Sequence, residues 1–106
     1  MAWLHLLAAG ILEIVWAFSM KQSQGFSKPT PTVITLVAMI ASFWLLAMSM
    51  RTLPLSTAYA IWTGIGAVGA FLVGTLILGE PANALKITAA VLIVAGLVLM
   101  KVASAS

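Results

Sequence analysis

Four apolar runs separated by short polar interruptions organise this sequence: Ala2 to Met20, Val33 to Met50, Leu55 to Leu78 and Leu85 to Met100. A helix rises about 1.5 Å per residue, so runs of this length cross a hydrocarbon core about 30 Å thick. Lys86 can snorkel at one end of the fourth run and Lys101 stands at the other. The first interruption, Lys21 to Pro31, reads as a loop punctuated by Gly25, Pro29 and Pro31. Arg51 to Pro54 is a short turn, with Pro54 suited to the first turn of the next helix. Gly79 to Asn83 is another turn, and Glu80 within it reads as a solvated loop charge. No stretch alternates with the period of a strand, which argues against a β-barrel. The pattern predicts an all-α membrane protein. It forms one four-helix transmembrane domain over residues 1–106, with helices at about 2–20, 33–50, 55–78 and 85–102. Such short connections make sequence neighbours antiparallel and packed together.

Composition agrees with this pattern. The chain is 63% hydrophobic and 7% charged, where soluble domains carry about 25% charged residues. No cysteine is present, which excludes disulfides and thiolate metal sites. The net charge of +3 rests on five Lys and Arg residues scattered along the chain, not the clustered footprint of a nucleic-acid binder. The first run is read as a retained transmembrane helix rather than a signal peptide. No Lys or Arg precedes it, it exceeds a normal signal core, and an acid interrupts it.

That acid is Glu13, close to the middle of the first run. A carboxylate at this depth costs about 3 kcal/mol on insertion scales, so an acid placed there faces a cavity or a partner and takes part in function. The bland alternative is a neutral Glu acting as hydrogen-bonded glue between helices. Ala9 and Gly10 lie one helical turn before it, Trp16 and Ala17 one turn after. Small residues clear volume beside the carboxylate and Trp16 lays an indole next to it. An acid with an aromatic wall suits a cation, by charge pairing on one side and ring-face attraction on the other.

The third run opens with a polar and aromatic half, in which Tyr59 and Trp62 share a face. Tyr59 reads either as a pocket residue or as an interfacial belt residue. Trp62 is deeper, and its N–H needs a partner that Glu13 could supply. Gly64, Gly66 and Gly69 concentrate flexibility in mid-membrane, as either a hinge or a surface for close helix contact. In the second run Ser42 is the polar residue nearest the midpoint, open to bonding Glu13 or its own helix backbone. His5 reads as interfacial. No metal-ligand set, phosphate loop or activated nucleophile appears, so neither an enzyme nor a cofactor is expected.

The loop charges bear on assembly. With the first helix starting on one side, that side holds Arg51 and Lys101 and the other holds Lys21, Lys28 and Lys86. Orientation follows a Lys/Arg excess, and here there is almost none. The chain then inserts either with a weak bias or in both orientations, the latter allowing an antiparallel homodimer. Four helices also supply few walls around a carboxylate, which favours a site between two copies.

These features together resemble the small multidrug resistance family. The resemblance rests on four short helices, Glu13 mid-way in the first, and Ala58-Tyr-Ala-Ile-Trp-Thr-Gly-Ile-Gly66 in the third, and covers essentially the whole chain. Trp16 one turn after Glu13, the run from Gly64 to Gly69 and Lys101 resemble its guanidinium-exporter subtype. Phe43 and Trp44 belong to a stretch shared by both branches. The resemblance implies an antiparallel homodimer in the bacterial inner membrane, each copy multi-pass. It implies a deep pocket shared by both Glu13 carboxylates and lined by Trp16, Ser42, Tyr59 and Trp62, with a hinge at Gly64, Gly66 and Gly69. It implies dimer contacts through the fourth helix. The expected activity is proton-coupled antiport of guanidinium-type cations, protons and substrate competing for Glu13. The rival readings are export of hydrophobic quaternary ammonium cations and a non-transport membrane subunit.

Overall fold

The computed structural model describes residues 2–105. Four helices make up the described chain: α1 (Ala2–Gln22), α2 (Pro29–Ser49), α3 (Leu55–Leu76) and α4 (Ala84–Ala105). All four are long and apolar enough to cross a membrane. The chain is an all-α membrane protein, as the four runs predict.

The connections are short because a few polar groups close them. After α1, the Ser23 hydroxyl donates to the Met20 carbonyl at 2.7 Å and accepts from the Phe26 N–H at 3.0 Å. The carbonyl of Ser23 takes the N–H groups of Ser27 and Lys28. Gln24, Gly25 and Phe26 all have positive φ, so the chain reverses within one tight coil. This lets α2 begin at Pro29, before the first residue of its apolar run. Pro29 and Pro31 are therefore helical rather than loop residues. Neither has an N–H to lose in a first turn, where that group is unpaired anyway. The Thr35 hydroxyl donates to the Pro31 carbonyl at 2.8 Å. Pro54 occupies the capping position just before α3, with extended ψ. At the far end of α3, Gly79 (φ +72°) turns the chain, and the Glu80 N–H returns to the Gly74 carbonyl at 2.9 Å. The Asn83 side chain caps α4 through the Lys86 N–H at 2.9 Å.

Packing is centred on α1, α2 and α3. Leu6, Ala9, Leu46, Ala58, Ile61 and Trp62 form the buried cluster, with Trp3, Trp16, Leu97 and Met100 among the side chains packed on it. The backbone of α4 lies beside α3 and no other helix among the described residues. None of its membrane-spanning window is buried. Large apolar side chains cover the outer surface, including Ile40, Leu85, Leu92 and Leu99. Water would not tolerate so continuous an apolar surface; hydrocarbon or another apolar helix does.

Candidate functional site

Glu13 lies mid-way along α1 on the side that meets α3. Its carboxyl group rests on the bare backbone of Gly66. A Cβ added there would overlap the Glu13 carboxyl carbon and Oε1. A glycine is thus needed for α3 to approach this closely while the carboxyl group keeps its place. The neighbouring glycines serve the same end. A Cβ at Gly69 would strike the Ile14 side chain, and one at Gly64 would strike Leu97. On α1, Gly10 faces Ile65 in the same way. Gly64, Gly66 and Gly69 lie within one continuous helix.

Ser42 joins the three helices. Its hydroxyl accepts the Trp62 indole N–H at 3.0 Å and donates to the Ala9 carbonyl at 2.6 Å. Ser42 is fully buried and Trp62 nearly so. This differs from both roles the sequence left open for Ser42, and from the Glu13 partner offered to Trp62. The partner of Trp62 is Ser42, and the partner of Ser42 is the backbone of a different helix. The Ala9 carbonyl is the one that accepts the Glu13 N–H in an α-helix. The chain Trp62–Ser42–Ala9 therefore fixes the turn of α1 that ends at Glu13.

An aromatic strip runs alongside. Trp16 meets Phe43 edge-on with centroids 6.2 Å apart, Phe43 meets Trp62 at 5.7 Å, and Tyr59 tilts against Trp62 at 5.6 Å. Phe43 and Tyr59 are about half exposed, at 47% and 52%. The structure thus gathers Trp16, Ser42, Tyr59 and Trp62 on one side of the bundle. Phe43 completes the strip between the two indoles. The sequence placed it with Trp44 in a stretch shared across the resembled family and gave it no role in the pocket.

Two polar atoms of this region are buried without a hydrogen-bond partner among the described residues: Glu13 Oε1 and Trp16 Nε1. One is an acceptor and the other a donor, and each is costly to leave unsatisfied in an apolar setting. Glu80, exposed in the α3–α4 turn, folds its carboxyl group back over Gly74 rather than extending into solvent. At the opposite end of the bundle the Lys101 ammonium sits 4.3 Å from the centre of the Trp3 ring.

Four membrane-length helices thus carry a carboxyl group mid-way along α1, seated on Gly66 of α3, and an aromatic strip of Trp16, Phe43, Trp62 and Tyr59. The family model for small multidrug resistance proteins matches residues 1–93, and the chain belongs to that family. Its relatives include a protein of Yersinia pseudotuberculosis named guanidinium exporter, 54% identical over 98% of this chain and 100% of its own length. The guanidinium exporter of Escherichia coli K12 is 51% identical over 98% of this chain and 99% of its own. The protein of that name in Citrobacter freundii is also 51% identical.

Proposed function

We propose that this protein exports guanidinium-type cations from bacteria across the inner membrane in exchange for protons, as an antiparallel homodimer. The observation that carries the reading is the buried Oε1 of Glu13, without a hydrogen-bond partner among the described residues, one helical turn from Trp16, whose indole N–H is likewise unpartnered. It gains weight from relatives named guanidinium exporter that are more than half identical over nearly the whole chain.

Guanidinium is planar and carries its N–H donors in a fork that matches a carboxylate. Two Glu13 side chains, one from each copy, provide two such acceptors in one chamber. Aromatic side chains bound the cation: Trp16 and Tyr59 offer ring faces, and Trp62 holds its plane through Ser42. The exposed side of the strip and the uncovered face of α4 before Leu97 are the surfaces a second copy would cover. Near-equal loop charge leaves both orientations open to the chain.

Coupling follows from competition. A carboxylate that holds a proton does not pair with guanidinium, and one that pairs with guanidinium has released its proton. The two Glu13 groups share one chamber and titrate as a unit. If only loaded forms exchange their open side, an inward proton gradient drives the cation outward. In an antiparallel dimer the two open states are equivalent by symmetry, as in transporters built from inverted repeats. Gly64, Gly66 and Gly69 are the positions at which α3 bends to exchange them.

Substrate-induced currents in proteoliposomes containing only this protein test the proposal. Guanidinium gives currents that vanish in Glu13→Gln. Currents elicited only by a bulky quaternary ammonium ion would transfer the assignment to the multidrug branch. Silence with both, from folded protein, would refute transport.

A further inference from the structure

An apolar groove of about 440 Å³ runs between α1, α3 and α4 at the end of the bundle where α1 begins and α4 ends. Leu7, Ile61, Ile65 and Val98 line it, and Trp3 and Lys101 stand at its outer end. It extends from Leu97 to Val102 along α4, about 7 Å at the helical rise. Lys101 is the one charged residue in the lining, placed over the Trp3 ring. One turn on, the hydroxyls of Ser104 and Thr57 meet at 3.4 Å. Apolar walls deep in the bilayer thus lead outward to an ammonium, an indole and two hydroxyls at headgroup level.

We infer that this groove is a site for an anionic phospholipid, one acyl chain lying in it and the phosphate against Lys101. The charge argues for lipid rather than for a second copy of the chain. An apolar helix laid in the groove would crowd the Lys101 ammonium at the headgroup boundary without supplying a counter-charge. Of the chain's two acidic residues, Glu13 lies mid-way along α1 and the Glu80 carboxyl group is folded over Gly74 of its own α3, so a second copy offers Lys101 no extended carboxylate in either orientation. A phospholipid supplies hydrocarbon and an anion at the correct relative depth. Trp at this level is the usual companion of headgroups. The site is independent of the Glu13 chamber and does not rest on the transport reading.

Native mass spectrometry of the full-length protein, released from mild detergent with equal phosphatidylglycerol and phosphatidylcholine, tests the inference. The wild type retains phosphatidylglycerol preferentially. Lys101→Gln lowers that preference about fivefold, the weight of one cation near an anionic surface. Lys101→Arg restores it, and Lys86→Gln at the other end of α4 leaves it unchanged. Equal retention of the two lipids by the wild type would overturn the inference. So would a preference that Lys101→Gln leaves intact or that Lys86→Gln lowers equally. Loss of dimer in Lys101→Gln with lipid retention unmoved would assign the groove to a second copy and likewise overturn it.

Discussion

Replacing Ser42 with alanine removes an acceptor and a donor from the centre of the three-helix core in one step. The Trp62 N–H loses its 3.0 Å partner and the Ala9 carbonyl loses the hydroxyl 2.6 Å away. The two losses are unequal. The Ala9 carbonyl still accepts within its own helix, whereas the Trp62 N–H is left buried with nothing to bond. Interhelical hydrogen bonds in membranes contribute about 0.6 kcal/mol on average and about 1.7 at most. A stranded donor adds about 1–3 kcal/mol. Ser42→Ala is therefore expected to cost about 2–3 kcal/mol. Trp62→Phe removes the donor itself while keeping an aromatic ring. In that background Ser42→Ala strands nothing and costs less by about 1 kcal/mol or more. Reversible unfolding in mixed micelles, run on the wild type, both single variants and the double variant, measures this coupling. Values that add to within about 0.3 kcal/mol would refute the chain Trp62–Ser42–Ala9 as an energetic unit.

Three further outcomes follow from the site. Gly66→Ala places a methyl group where the Glu13 carboxyl group rests. The side chain swings away at little cost to the fold, and the guanidinium KM in proteoliposomes rises about tenfold, as for about 1.4 kcal/mol of lost binding; an unchanged KM would show that the seat does not matter. Trp16→Gly opens the wall beside Glu13, so transport currents extend to bulkier cations; unchanged selectivity would remove Trp16 from the wall. Because protons compete with the cation, raising the pH lowers the apparent KM for guanidinium, and a KM independent of pH would count against a shared carboxylate.

The four helices were legible in the chain because each is a run too apolar and too long for another assignment. Glu13 was legible because charge at that depth has few uses. What lay beyond reach was the pairing between helices. Helical spacing tells which residues share a face but not which carbonyl of a neighbour that face meets. Nothing in the sequence could therefore choose Ala9 for Ser42, or Ser42 for Trp62. The start of α2 was hidden because Pro29 and Pro31 suit a loop and a first helical turn equally well. Only the bonds gathered by Ser23 close the loop early enough to make them helical. Gly66 stood out as a glycine, but its use as the seat of a carboxyl group depends on the register between α1 and α3.

The central claim is that a proton and a guanidinium ion occupy the same Glu13 carboxylates in turn. Proton release on binding tests it most directly. Guanidinium is added to the purified protein in weakly buffered detergent solution, and the pH change is read as substrate saturates the site. The account predicts an acidification that saturates with binding and is absent in Glu13→Gln. Saturable guanidinium binding with no proton release, across the pH range in which the protein transports, would contradict it.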